Sequence, residues 1–261
     1  MIDPKLFQID PTMPYADVDF VVYGKRMCIS LPAYKPDNFT LDTLTPTAVK
    51  GMCDSYYHDK VTVGDQKYPA FRYAPLRIVS VEHPDPILRR YQGQKDNLTL
   101  NGVANKIKLG RSGEIERPNY AIRQRHITYM IAPCFHVTVR ITLLPVFNLR
   151  EDSFDKGIEA YKAIFSRRVA KQQCWKEPHF GLTMFPAKLK AYERENPLTD
   201  LNQHIGPMIY DYLYDENDGR VISRRYFDAK IIQGVLDCNW FDGNIKLVLD
   251  KEERKNVSAI A

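Results

Sequence analysis

The chain has 261 residues, 44% of them apolar and 26% charged, which is enough to bury a substantial core. No apolar run approaches the roughly 18 residues of a membrane span. Five scattered cysteines without a Cys-x-x-Cys pair argue against a zinc ribbon or a disulfide framework. No secretory signal is evident at the start, so we expect a cytoplasmic protein with reduced thiols. The 37 Lys and Arg against 32 Asp and Glu give +5, which permits an anionic partner without requiring one.

The first predicted helix begins sharply, with Thr45 as N-cap and Pro46 at the first helical position. The helix has one apolar stripe at helical spacing, formed by Val49, Met52, Cys53 and Tyr56. We therefore expect it to bury Tyr56 and to present Tyr57, followed by His58, at its C-terminal end. A phenol and an imidazole in that place either take part in proton transfer or merely border the core.

The remaining pattern alternates strands with helices. Strands are predicted at 18–31 with a bend at Gly24, at 71–81, at 122–144 and at 176–187, and a second helix at 153–169. The strand at 122–144 is expected to bend, or to pair twice, around Pro133. The order is strand, helix, strand, insertion, strand, helix, strand, a split β-α-β pattern. We predict an α+β, ferredoxin-like or RRM-type domain over 1–190, and a small antiparallel β-hairpin region over 200–261.

The insertion, residues 83–121, is rich in Gly and Pro and has little periodicity. Residues 89–125 contain nine basic and three acidic residues, a net charge of +6. A long irregular connection of this kind is usually functional or disordered. It is either a surface for an anionic ligand or a solvated loop that happens to be basic.

Several segments in the same order resemble one family, the CRISPR-associated RAMP subunit of type I-C systems (family five, subtype d). The family's Gly-Asp-Tyr-Ala-Cys-Phe-Thr-like strand and Pro-Ser-Ala-Ala-Arg-Gly-Ile helix, which ends in Tyr-Trp-Lys-Pro, resemble residues 24–30 and 46–57. Further collinear segments are 89–92, 123–125, 165–168, 173–175, 178–181, 185–187 and 205–212. The chain departs from the family at residues 58–60, where His-Asp-Lys replaces Trp-Lys-Pro, and at residues 182–184.

The resemblance implies a RAMP-fold RNA-binding subunit, often a metal-independent endoribonuclease. Such an enzyme cuts precursor CRISPR RNA by 2′-OH attack and retains the 5′ handle. It implies precursor and mature CRISPR RNA, the backbone and large subunits of a surveillance complex and, indirectly, target DNA as partners. The alternatives are a non-catalytic clamp for the 5′ handle and an unrelated single-stranded RNA-binding protein. We expect no bound metal or other cofactor.

The chemistry requires a base for the 2′-OH, cations for the phosphorane and an acid for the leaving oxygen. Tyr57 matches the family's tyrosine, and His126 is the first candidate for its basic partner, with His58 second. Either these three are catalytic or they are structural side chains. The residues predicted to contact RNA are Arg123, Arg125, Arg89, Arg90, Lys50, Lys106, Lys108 and Arg111.

Overall fold

The computed structural model describes residues 4–30, 40–81, 89–95, 124–150, 157–192, 197–214, 221–243 and 245–249. Two α-helices lie within these residues, α1 (Pro46–Tyr56) and α2 (Ile158–Ala170). The strands before residue 100 are β1 (Tyr15–Gly24), β2 (Arg26–Met27), β3 (Lys60–Val63), β4 (Gln66–Pro69), β5 (Phe71–Ser80) and β6 (Arg89–Lys95). Those after it are β7 (Gln124–Ile131), β8 (Cys134–Leu143), β9 (Ala187–Ala191), β10 (Gln203–Tyr214), β11 (Val221–Ile232), β12 (Val235–Asp237) and β13 (Val248–Leu249).

A central sheet holds most of these strands, in the order β10-β11-β12-β5-β8-β1-β9, with β13 paired to β11. A smaller sheet has the order β2-β7-β6, and β3 and β4 form a hairpin. All the described strand pairs are antiparallel. The predicted mixed α+β class is confirmed, and β1, α1, β5, β8, α2 and β9 follow one another in the predicted order.

The core lies between the two helices and the central sheet. Phe165 of α2 contacts the rings of Phe20 on β1 and Tyr73 on β5, with ring centroids 5.6 and 5.5 Å apart. From α1, Val49 and Cys53 are fully buried against this layer. The predicted apolar stripe of α1 is therefore confirmed as part of the core, and α2 adds Tyr161, Phe165 and Val169 to it.

The start of α1 is also as predicted. The Thr45 hydroxyl accepts a hydrogen bond from the backbone N–H of Ala48 at 3.3 Å, and Pro46 is the first helical residue. The cap satisfies one of the amides that a helix leaves without an internal partner. A capped start and a single apolar stripe together determine where α1 begins and which side it buries.

Two strand predictions are wrong in their extent. The strand expected over 26–31 continues only to Met27 and belongs to the smaller sheet. No strand runs over most of 176–187. The strand at this place in the chain, β9, begins only at the last residue of the predicted range, Ala187. Gly181 explains the difference, since its φ of +79° is left-handed and a Cβ there would overlap the carbonyl oxygen of Cys28. Residues before β9 therefore form turns rather than a strand.

The basic segment contains β6, a strand that the sequence pattern did not indicate. The rest of 83–121 lies outside the described residues.

The predicted C-terminal hairpin is present as β10 and β11. It continues the central sheet through β12, which pairs with β5. The boundary between 1–190 and 200–261 stays a prediction. Among the described residues, no helix is long and apolar enough to cross a membrane.

Candidate functional site

A cleft of about 540 Å³ lies between α1, β5 and β10. One side of α1 supplies Lys50 and Asp54, and His58 follows at the same four-residue spacing just beyond the helix end. Residues four apart share a helix side, so Lys50 and Asp54 line one wall, and His58 extends it beyond the helix end. Arg72 of β5 lines the cleft as well, together with Lys60, Asp59, Trp175 and Asp211. The cleft thus combines an imidazole, three basic side chains, three carboxylates and an exposed indole.

The C-terminal end of α1 is held by hydrogen bonds from distant parts of the chain. A helix leaves its last four carbonyls without internal partners. Here the carbonyl of Asp54 accepts from the Trp175 indole N–H at 2.7 Å, and that of Ser55 accepts from the Trp175 backbone N–H at 3.0 Å. The carbonyl of Tyr56 accepts from Arg168 of α2 at 3.0 Å. These bonds fix the direction in which the chain leaves the helix, and so the position of His58.

Tyr57 is buried, and the prediction that α1 presents it to solvent is wrong. It is 6% exposed and packs against the rings of Phe71 and Tyr161, with Arg168 lying 5.2 Å above its own ring. The reason is that α1 ends at Tyr56 and Tyr57 is extended, with φ −156° and ψ 128°. In an extended segment successive side chains alternate, so Tyr57 turns to the core and His58 to the cleft.

The phenol of Tyr57 nevertheless bears on the cleft indirectly. Its hydroxyl donates to the carboxylate of Asp59 at 3.1 Å, and Asp59 lines the cleft. Burial, followed by the charge of Asp59, raises the pKa of Tyr57 well above its ordinary value. Because its pKa is raised, the phenol keeps its proton and cannot act as the base, but it can orient a carboxylate.

Lys50, Asp211 and Arg225 form a charged cluster at the floor of the cleft. The buried carboxylate of Asp211 accepts from the Lys50 ammonium at 3.1 Å and from the Arg225 guanidinium at 2.6 Å. Burial alone would raise the pKa of Asp211, but the two cations outweigh it and hold that pKa below its usual range. Burial lowers the pKa of Lys50 to about 8, although Asp211 opposes the shift. The ammonium also lies 4.4 Å from the centre of the Tyr210 ring.

The other two cations of the cleft come from β3 and β5. Lys60 is exposed at the start of β3, and Arg72 is half-buried on β5. Within the described ranges, neither makes an ion pair with a carboxylate. Both are therefore available to a negatively charged ligand in the cleft.

The opposite face of the central sheet carries both carboxylates and cations. Asp17 and Asp19 of β1 alternate with buried Val18 and Phe20, so they lie on the face away from the helices. Asp17 accepts from Arg140 at 2.8 and 2.9 Å, and Asp19 accepts from Thr138 at 2.7 Å. Arg140 is thus already paired, although Arg77, Lys188 and Lys190 share this face by strand register. The cleft is the candidate site because it also holds an imidazole and an indole.

A second cleft, of about 600 Å³, lies across α1 from the first. Thr47 and Gly51 line both clefts, so this edge of α1 separates them. A Cβ at Gly51 would meet no atom within 4 Å. The ridge between the clefts is therefore low at this point, and an extended ligand could cross it.

The structure brings together only some of the residues predicted to act at the site. Lys50 and His58 share the cleft, and Tyr57 lies behind it. Arg125 and His126 belong to β7, opposite Gln94 and Gly93 of β6, and Arg89 and Arg90 belong to β6 itself. Their side chains are outside the description. Arg123, Lys106, Lys108 and Arg111 lie outside the described residues altogether. The predicted roles of these eight residues stay predictions.

Sequence reasoning assigned no role to six groups of the cleft: Asp59 and Lys60, which follow His58 directly, and Asp54, Arg72, Trp175 and Asp211. Asp54 could have been found, because it stands between Lys50 and His58 at helical spacing. Arg72, Trp175 and Asp211 come from β5, the segment after α2 and β10, and nothing local in the sequence connects them to α1. Among the described residues, no three His, Cys, Asp or Glu side chains are grouped as metal ligands.

The fold and the cleft together define an α+β protein with a mainly antiparallel sheet and a polar, partly aromatic cleft beside its first helix. Solved structures have the same fold. A crystal structure of a CRISPR-associated protein matches with a TM-score of 0.55 and 14% identity, over 86% of this chain and 93% of that one. SMU1763c from Streptococcus mutans matches with a TM-score of 0.54 and 12% identity, over 87% and 94%.

The sequence relationship is more specific. The CRISPR pre-crRNA endoribonuclease Cas5d of Mannheimia succiniciproducens is 22% identical over 223 residues, 83% of this chain and 92% of that protein. The Cas5d of Thermus thermophilus is 24% identical over 201 residues, 76% of this chain and 74% of that protein. No family model matches the chain. The chain is a distant homologue of the Cas5d proteins over most of its length, which confirms the predicted resemblance.

Proposed function

We propose that this protein is the CRISPR RNA-binding subunit of a type I-C effector complex. In this proposal it cleaves precursor CRISPR RNA without a metal and retains the 5′ handle. The distant Cas5d homology supports a role in CRISPR RNA processing or binding. The strand order β9-β1-β8-β5, with helices after the first and third of these strands in the chain, fits the ferredoxin-like arrangement of a RAMP domain. Such a role implies a cytoplasmic protein that contacts backbone and large subunits, and target DNA indirectly.

The observation that carries the enzymatic proposal is the placement of His58 beside Lys50 in the cleft. Cleavage by an internal nucleophile begins when a base removes the proton of the 2′-OH. The 2′-oxygen attacks the adjacent phosphorus, and the 5′-oxygen leaves with a proton from an acid. Imidazole is the side chain most often used for such transfers. We assign the base to His58, which lies at the mouth of the cleft.

Lys50 and Arg72 fit the other two requirements. Arg72 offers a fixed positive charge for the equatorial oxygens of the phosphorane. Lys50, with a pKa lowered to about 8, is still mostly protonated at neutral pH and can give its proton to the 5′-oxygen. The 2′,3′-cyclic phosphate and the 5′-hydroxyl are the products that these steps require.

Tyr57 has a positioning role in this scheme. Its hydroxyl fixes Asp59 at the edge of the cleft, and it does not itself line the cleft. His126 is the alternative base, in line with the family resemblance. Its place on β7 and that of Arg125 put both in the same small sheet as Arg89 and Arg90. We propose that this sheet, with Arg123, Lys106, Lys108 and Arg111, binds the RNA that leads into the cleft.

The non-catalytic clamp is the second candidate function, and the burial of Tyr57 favours it. A family tyrosine that reaches the ribose must be accessible, whereas Tyr57 is packed between rings and has a raised pKa. The clamp would use the same cations to hold the 5′ handle without cutting it.

Incubation of the purified chain with repeat RNA from the CRISPR array of the same genome, in EDTA, separates these functions. Cleavage at one position that leaves a 2′,3′-cyclic phosphate supports the enzyme. Tight, repeat-specific binding without cleavage supports the clamp. Equal affinity for any single strand would contradict both.

A further inference from the structure

Trp175 is an exposed aromatic side chain that the proposed chemistry does not use. It follows α2, lines the cleft and is 62% exposed. An indole is costly to leave in water, so its exposure at the mouth of a polar cleft is informative.

The indole is held in place although it is exposed. Its ring N–H and its backbone N–H bind the carbonyls of Asp54 and Ser55 in the last turn of α1. Its ring centre lies 5.4 Å from that of His58, at an interplanar angle of 67°. The orientation is therefore fixed before any ligand arrives, and a ligand that stacks on the free face loses little additional side-chain entropy.

The surroundings of the ring indicate what kind of ligand would stack there. Lys60 and Arg72 line the same cleft and suit the phosphate of a nucleotide, while the flat indole suits a planar base. The three carboxylates of the cleft do not prevent this. Asp211 is paired with two cations, Asp59 accepts from Tyr57, and burial raises the pKa of Asp54, which disfavours its charged form. An aromatic ring beside cations is the arrangement by which proteins bind unpaired nucleotides.

We propose that Trp175 is a stacking platform for one unpaired nucleobase of the bound RNA, next to the phosphate held between Lys60 and Arg72. The proposal rests on the proposed RNA-binding function and adds a base-binding subsite to it. Stacking is tolerant of base identity, so the subsite orders the strand without reading its sequence.

The test uses fluorescence, because the chain has two tryptophans. In a Trp240→Phe background Trp175 is the sole indole. We expect saturating repeat RNA, 2′-deoxy at the cut position to prevent cleavage, to quench its emission and protect it from acrylamide. Trp175→Ala should bind about tenfold more weakly, or about 1.4 kcal/mol, and Trp175→Phe less than threefold more weakly. Both variants lose the indole N–H bond to Asp54, so Trp175→Phe controls for the fixing of the helix end.

A scan of abasic sites along the RNA identifies the stacked base. We expect one abasic position to cost the wild type about tenfold in affinity and to cost Trp175→Ala nothing, because the contact is already absent. The stacking proposal is wrong if RNA binds but the emission of Trp175 is neither quenched nor protected from acrylamide. It is also wrong if Trp175→Ala and Trp175→Phe bind RNA equally weakly. In both cases the proposed function stands. If the wild type binds no repeat RNA, the stacking proposal and the proposed function are both wrong.

Discussion

Replacement of Asp211 by Asn tests whether the charged cluster stabilises the site. Asp211 is 3% exposed, and one of its oxygens accepts from both Lys50 and Arg225. The amide keeps the size of the side chain but leaves two cations without their shared anion. Two charge-assisted hydrogen bonds are together worth about 3–6 kcal/mol, and loss of one partner from a buried ion pair costs about 3–5 kcal/mol. Lys50 can relieve part of this by releasing its proton, so we expect a loss near 3 kcal/mol.

The measurement is urea unfolding followed by circular dichroism, with the melting temperature as a second readout. A loss of about 3 kcal/mol in the free energy of unfolding corresponds to a fall of roughly 6–12 °C in the melting temperature for a chain near this size. Asp228→Asn is the matched control, because Asp228 also pairs with two basic side chains, His204 and Lys230, but in solvent. We expect the control to unfold as the wild type does. An Asp211→Asn variant within about 1 kcal/mol of the wild type would refute the reasoning.

Three further predictions follow from the same contacts. The pKa of Lys50 is about 8 in the folded protein, against an ordinary value of 10.5, so the unfolded chain keeps this proton up to a higher pH. The stability of the wild type relative to Lys50→Met should therefore rise between these pH values in parallel denaturation series, and a constant difference would contradict the lowered pKa. In single-turnover cleavage, we expect His58→Ala to lower the rate at least about 100-fold. Tyr57→Phe should lower it about tenfold (about 1.4 kcal/mol), and both variants should bind RNA with unchanged affinity. A larger loss of rate for Tyr57→Phe than for His58→Ala would make the phenol the catalytic group. In chemical denaturation, Gly181→Ala should lower the free energy of unfolding by about 3 kcal/mol or more. Gly64 is equally left-handed but lies in open space, so Gly64→Ala should lower it by about 1 kcal/mol. Equal losses would mean that the contact between residue 181 and Cys28 does not matter.

The sequence predicted those parts of the fold that local rules determine. Thr45, Pro46 and the apolar stripe sufficed to place α1, because capping and periodicity act within a few residues. The order of strands and helices also followed from periodicity. The strand expected before β9 failed because the requirement at Gly181 is tertiary: its neighbour is the backbone of Cys28, far away in the chain.

The site was predictable only in part, for a related reason. Lys50 on α1 and His58 just beyond its end were both singled out. Whether Tyr57 or His58 faces the cleft depends on the residue at which the helix ends. A helix boundary cannot be read from sequence to within one residue. Asp211 and Trp175 were not found, because they reach α1 from elements that follow it by more than a hundred residues.

The end of α1 connects these observations. Each of its last four carbonyls has a partner: the Tyr57 amide binds Cys53, Trp175 binds Asp54 and Ser55, and Arg168 binds Tyr56. Because the final turn cannot continue or unwind without breaking these bonds, the extended conformation of Tyr57 is set by the segment at and after the end of α2. The same contacts bury the tyrosine, direct His58 into the cleft and hold the indole beside it. The cleft therefore depends on the packing of α2 against α1, and a substitution at Arg168 should displace His58 without touching any group that lines the cleft.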